Sequence, residues 1–233
     1  MSEPIEVGRR ESSVLRISLR TAAIMLAFTL VFTAMMAGTY KATEPLVAAS
    51  ALAEKLRLIG EVLPQSEYDN DLMADAITLA PQPALGLDGE TRLWRARRNG
   101  APAALVLEAA ARDGYSGRIS LILAVGADGK LLAVRVTGHK ETPGLGDYID
   151  PKKDRNKTRP WITQFNNLGF DGVPPDKWRV KKDGGRFDQM SGATISARAV
   201  TNASGRALAW TVDNRDKLFA LPPDSRFEGK ETP

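Results

Sequence analysis

The longest uninterrupted apolar run in the chain is Thr21–Tyr40, 20 residues without a charged side chain. As a helix rising about 1.5 Å per residue it spans roughly 30 Å, the thickness of a bilayer core. A buried helix of a soluble protein usually keeps one polar stripe, and this run has none. A cleaved signal peptide fits poorly as well. The polar leader is long, and cleavage after Ala37 or Gly38 would put Met35 or Met36 where a small residue is needed. The pattern predicts a retained transmembrane helix over 21–40, with a leader over 1–20.

Beyond the span the periodicity changes. Leu52, Leu56, Ile59 and Leu63 make one apolar stripe, so a linker helix is expected from Pro45 to Leu63, with Pro45 in its first turn and Pro64 ending it. Residues 65–90 are rich in Pro, Asp and Gly and show no usable period. Strand patterns begin near Arg92. Arg118–Val125 and Leu131–Thr137 are aliphatic and β-branched, with Asp128-Gly129 between them as a hairpin turn. A short helix is expected over Pro160–Phe170, a strand over Trp178–Lys182, and a long helix over Ile195–Asp213 with Ile195, Ala199, Val200, Ala203, Ala207, Leu208 and Trp210 on its packed face. Hairpins followed by helices indicate an α+β fold. The expected organisation is leader 1–20, span 21–40, linker helix and extension 41–90, globular domain 91–215, and a loose tail over 216–233.

Charge sets the orientation and narrows the chemistry. Arg9, Arg10, Arg16 and Arg20 precede the span, whereas only Lys41 closely follows it, beside Glu44. Positive-inside reasoning puts the N-terminus in the cytoplasm and the globular part outside, in the periplasm of a bacterium. The net charge of +4 is small and dispersed, which gives no footprint for nucleic acid. The basic run Lys152–Lys157 reads as a solvated loop. There are no cysteines and one histidine, His139. That excludes disulfides, thiolate metal sites and cysteine nucleophiles, and it excludes a multi-histidine metal or haem site within the chain. No metal ligand set is expected.

Two segments could carry chemistry. Asp188-Gln-Met-Ser-Gly-Ala-Thr194 stands immediately before the long C-terminal helix. Free N–H groups and the helix dipole favour an anion there, and the small residues Gly192 and Ala193 let a bulky ligand approach the backbone. By spacing alone, an ordinary N-cap made by Ser191 or Thr194 is the commoner use of such a segment. The second segment, His139-Lys-Glu-Thr-Pro-Gly-Leu-Gly146, packs three glycines, counting Gly138, and a proline around the end of a strand, which makes a loop with unusual backbone angles. A structural turn would explain it equally well.

The first segment resembles the target motif of the bacterial flavin transferase. In that family FMN is joined by a phosphoester to the hydroxyl of the last threonine, which is matched here by Thr194. Ser196 is the nearby competing hydroxyl. The second segment resembles the flavin-facing loop of the FMN-binding domain found in the G subunit of Rnf complexes and in the C subunit of sodium-pumping NADH:quinone reductase. Glu141, Thr142, Gly144, Leu145 and Gly146 match it. Gly114-Tyr-Ser-Gly117 is a weaker third match, residues 65–110 carry none, and the length and leader are more similar to the G subunit.

The resemblance implies an electron-relaying flavoprotein subunit rather than a complete catalyst. It would sit in the bacterial inner membrane, with its C-terminal domain in the periplasm. The parent complex would be a ferredoxin:NAD oxidoreductase that translocates sodium or protons. FMN on Thr194 would lie against Ser191, Gly192, Ala193 and the Glu141–Gly146 loop, and Asp188 would serve transferase recognition. The expected partners are other membrane subunits, a flavin transferase and lipid. The alternatives are the quinone-reductase C subunit and a non-redox binding module on an anchor.

Overall fold

The computed structural model describes residues 8–229. The chain divides into two compact units, residues 1–54 and 55–233.

The described residues of the first unit belong to one helix, α1, Gly8–Val62. Its stretch Val14–Val47 is long and apolar enough to cross a membrane and buries none of its side chains. The expected span 21–40 lies inside it. Ile24, Leu26, Phe28 and Phe32 all point outward. Without lipid, such exposure of apolar surface would be strongly unfavourable. The linker helix expected from Pro45 to Leu63 does not start at Pro45: Pro45 lies inside α1, which runs on to Val62. A proline removes one N–H and crowds one carbonyl, a cost that the flanking helix-forming residues absorb.

The second unit is an α+β domain around a six-stranded sheet. Its strands are β1 (Ala76–Leu79), β2 (Thr91–Arg98), β3 (Ala101–Gly114), β4 (Gly117–Gly126), β5 (Leu131–Gly138) and β6 (Arg226–Phe227), in the order β5-β4-β3-β2-β1-β6. All neighbours are antiparallel except β1 and β6. The Asp128-Gly129 turn joins β4 to β5 as expected, with Gly129 at φ +83°. Alternation along the strands builds two cores. Leu105, Leu107, Leu121 and Leu123 face the C-terminal helix α2, Thr194–Ala220. Trp94, Val106, Ile122 and Ala124 face Ile59 and Val62 at the end of α1 and Leu63 just after it.

Four expectations change. Trp178–Lys182 is not a strand. It begins at Trp178, the C-cap of one 3₁₀ turn, Pro175–Lys177, and runs into another, Lys181–Asp183, around an isolated bridge from Val180 to Phe187. Burial of Trp178 and Val180 mimics strand alternation, while Pro174, Pro175 and Gly184 enforce turns. The Pro160–Phe170 helix is shorter, a 3₁₀ helix over Trp161–Phe165. The long helix begins at Thr194 and runs to Ala220, seven residues past Asp213, and Ile195 is 43% exposed rather than on the packed face. The tail is not loose throughout, because Arg226 and Phe227 add a parallel strand to β1.

Candidate functional site

Three connections meet at one end of the sheet: the turn between β3 and β4, the loop that leaves β5, and the segment that starts α2. Together they border a cleft of about 130 Å³, with Tyr115 from the first, Glu141, Thr142, Leu145 and Gly146 from the second, and Gly192, Ala193, Ile195 and Ser196 from the third. The two segments singled out from sequence are therefore neighbours in space, and so is the weaker third one.

The loop after β5 is a tight turn. The N–H groups of Leu145 and Gly146 both donate to the Thr142 carbonyl, at 3.1 and 3.0 Å. Gly144, at φ +73°, supplies the left-handed residue that this turn needs. Thr142, Gly144 and Leu145 are exposed, and Gly146 is buried. A Cβ on Gly146 would fall 2.7 Å from Ser196 Oγ, so glycine is what lets the loop lie against α2.

Glu141 is the group that joins all three connections. Its side chain is 4% exposed. One carboxylate oxygen accepts the Ser116 N–H at 2.9 Å. The other accepts the Ser196 hydroxyl. Its own N–H donates to His139 Nδ1 at 3.2 Å. Ser196, 1% exposed, is therefore both covered and occupied.

The start of α2 carries no side-chain cap. Its N-cap position is held by Ala193, and no acidic residue lies within the first turn. The N-cap role considered for Ser191 or Thr194 is not what the structure shows. Ser191 is exposed, and Thr194 is the partly exposed first helical residue, between two cleft residues. Gly192, at φ +84°, has open space where a side chain would stand. Unsatisfied N–H groups at a helix start favour a negatively charged group.

Tyr148 fixes this turn from below. Its hydroxyl accepts the Met190 N–H at 3.1 Å and donates to the Ala193 carbonyl at 3.3 Å. Burial pushes the phenol upward in pKa, the Met190 bond pulls against it, and the charge of Asp154 adds to the rise. The phenol therefore stays protonated and keeps donating. Sequence reasoning missed Tyr148, and no motif marks it. Asp154, inside the basic run read as a solvated loop, is buried and accepts the N–H groups of Trp161 and Asn156 at 2.6 and 2.9 Å. The lysines and arginine around it are exposed.

Asp188 lies outside the cleft. Its N–H donates to Gln164 Oε1 at 2.8 Å and its carbonyl accepts Trp161 Nε1–H at 2.6 Å. Its exposed carboxylate pairs with Lys181 at 2.6 Å. The backbone is thus fixed while the side chain faces solvent.

These residues suit a flavin mononucleotide on three counts. The uncapped helix start suits a phosphate. Gly192 leaves room beside it. Apolar surface for a ring system gathers nearby: among the described residues after Glu54, the exposed large hydrophobic side chains are Leu56, Tyr115, Leu145, Met190 and Ile195. All but Leu56 belong to the three connections, and Tyr115, Leu145 and Ile195 line the cleft itself.

The chain also resembles known proteins at the level of whole domains. Residues 114–209 match the FMN-binding domain family, and residues 13–62 match the RnfG N-terminal region. A Pseudomonas aeruginosa protein named as the G subunit of an ion-translocating oxidoreductase complex is 41% identical over 212 residues, which cover 90% of this chain and 96% of the relative. Proteins of the same name from Pectobacterium atrosepticum and Cronobacter sakazakii are 40% and 42% identical over 88% and 87% of the chain, and over 91% and 92% of their own lengths. The chain belongs to the family of G subunits of ion-translocating oxidoreductase complexes.

Proposed function

We propose that this protein is the electron-relaying flavoprotein subunit of a membrane-bound ferredoxin:NAD oxidoreductase complex that moves sodium or protons, and that it carries FMN in phosphoester linkage to Thr194. Bound FMN supplies one- and two-electron transfer chemistry. The chain supplies attachment, orientation and a local environment. The observation that carries the reading is the gathering of exposed apolar side chains beside an uncapped helix start at Thr194. Of the two hydroxyls weighed as acceptors, Thr194 is partly exposed, whereas Ser196 is covered and donates to Glu141.

In this reading Leu145, Ile195 and Tyr115 offer apolar surface to the ring, Gly192 and Ala193 let the phosphate approach the backbone, and Ser191 and Thr142 border the remaining polar groups. Asp188, fixed in backbone and open in side chain, is suited to recognition by a flavin transferase. The arginines before the span support an inner-membrane protein with its FMN-binding domain in the periplasm. Ferredoxin, NAD and the ion path would belong to other subunits, since a single span provides no channel. The name shared by the relatives favours the G subunit over the quinone-reductase C subunit.

Intact-mass measurement tests the attachment. Protein made beside an active transferase should carry the FMN increment, Thr194→Ala should lose it, and Thr194→Ser should retain part of it. Persistence of the increment in Thr194→Ala would place the acceptor elsewhere.

A further inference from the structure

We infer that the Glu141 carboxylate sets the electrostatic environment of the flavin and lowers its reduction potential. This rests on FMN occupying the cleft beside Thr194, and it concerns what the cleft does to FMN once it is there.

Glu141 is the sole charged residue among those that line the cleft; the rest are apolar, hydroxylated or glycine. A carboxylate that is 4% exposed keeps its charge only where donors replace the lost water. Here both oxygens accept hydrogen bonds, one from the Ser116 N–H and one from the Ser196 hydroxyl, the arrangement suited to the ionised form. Both donors are neutral. Among the described residues, no lysine, arginine or histidine forms an ion pair with Glu141. A nearby cation would cancel the field of the carboxylate, whereas neutral donors hold it in place without cancelling it.

The position of the charge matters as much as its sign. Glu141 Oε2 would lie 3.1 Å from a Cβ on Gly146, and Gly146 is itself a wall of the cleft. A group seated against Gly146, Ala193 and Ile195 is therefore within a few ångströms of a buried negative charge, in surroundings that screen far less than bulk water. Reduction adds electrons to the flavin, and a neighbouring anion opposes that gain. The carboxylate thus makes bound flavin a stronger reductant than the same flavin without it. The same side chain ties the β3–β4 turn, the loop after β5 and the first turn of α2 together, so the distance from charge to cleft is held fixed.

The charge and the tie are separable by experiment. Redox titration of flavin absorbance is carried out on the full-length, detergent-solubilised, FMN-loaded chain. Glu141→Gln removes the charge at nearly constant shape, and its midpoint should move positive. With both variants and wild type titrated at about pH 9, far above the ordinary carboxylate value of about 4, Ser196→Ala keeps the charge on the remaining Ser116 N–H donor and removes one neutral donor, so its midpoint should stay at the wild-type value or move negative. A purely structural role would loosen the same contact in both variants and shift both midpoints the same way. A Glu141→Gln midpoint that is unchanged or more negative overturns the inference, and so does a Ser196→Ala midpoint above wild type. Should Glu141→Gln fail to take up flavin, Glu141→Asp takes its place: the shorter side chain draws the charge back from the Gly146 wall, so its midpoint should move positive, and an unchanged or more negative midpoint overturns the inference. A wild-type chain that lacks the FMN mass would sink the Thr194 attachment instead, and FMN bound without the link would still report the midpoints.

Discussion

The Tyr148 hydroxyl accepts the Met190 N–H at 3.1 Å, and the same oxygen donates to Ala193, so a single phenol holds both arms of the turn that starts α2. Tyr148→Phe leaves a backbone N–H and a carbonyl without this partner, and should cost about 1–2 kcal/mol in a urea titration. A pH dependence follows. Folding raises the pKa of this phenol, chiefly by burial. The resulting stabilisation is fully present below the unfolded pKa of about 10 and is lost as pH rises through the higher folded value. Tyr148→Phe should therefore unfold less steeply with pH above about 10 than wild type does. Equal alkaline slopes in the two proteins would contradict this assignment.

Gly144 and Gly146 are distinguished by their surroundings. Gly144 has φ +73° and open space around it, so Gly144→Ala meets backbone strain alone and should cost about 1–2 kcal/mol. Gly146→Val drives a branched side chain toward Ser196 Oγ and the Glu141 carboxylate, at 2.7 and 3.1 Å from the first added carbon. It should part the loop from α2, destabilise the domain by more than Gly144→Ala does, and make flavin emission more accessible to a soluble quencher. Identical quenching in the two variants would mean that the Gly146 contact does not shape the cleft.

Local signals were legible in the sequence, and long-range ones were not. Thr21–Tyr40 declared itself because an uncharged run serves one environment. Asp128-Gly129 declared the β4–β5 hairpin because few residues accept its backbone angles. The Trp178–Lys182 reading failed because burial of Trp178 and Val180 follows a period of two without strand partners. The pairing of β1 with β6 joins a four-residue strand to a two-residue one near the far end of the chain, too little pattern to detect. Sequence resemblance named the segments around Glu141 and Thr194, but not how they meet. That Glu141 turns toward Ser116 and Ser196, and that Tyr148 reaches residues 42 and 45 positions away, follows from tertiary packing.

The orientation can be checked without a structure. Four arginines lie before the Val14–Val47 stretch or in its first turns, at positions 9, 10, 16 and 20. A C-terminal fusion to a reporter active only outside the cytoplasm should give signal, and a fusion to one active only inside should not. Replacing all four arginines by glutamine should weaken or scramble that preference. A cytoplasmic signal from the wild-type fusion would reverse the proposed topology.

The end of α2 is held by charge rather than by a glycine. Arg95, with a fully buried side chain, donates to the carbonyls of Leu218 and Leu221, and Arg97 donates to that of Phe219 at 3.0 Å. Cations beside the last carbonyls are favourable to a helix end. Both arginines are aligned by Asp75, which accepts from Arg95 and, at 2.7 Å, from Arg97 Nε. Asp75→Ala would leave the buried guanidinium without its counter-charge, a change that typically costs about 3–5 kcal/mol. Asp183 offers a contrast. Its bidentate pair with Arg198, at 2.5 and 2.8 Å, lies near the surface, where water and salt screen it. Asp183→Ala should therefore shift the urea midpoint far less than Asp75→Ala, and its effect should shrink as salt is added. Added salt should leave most of the Asp75→Ala loss in place, because that pair is covered. Similar losses for the two variants, with similar salt dependence, would show that burial of Arg95 does not govern the stability of this helix end.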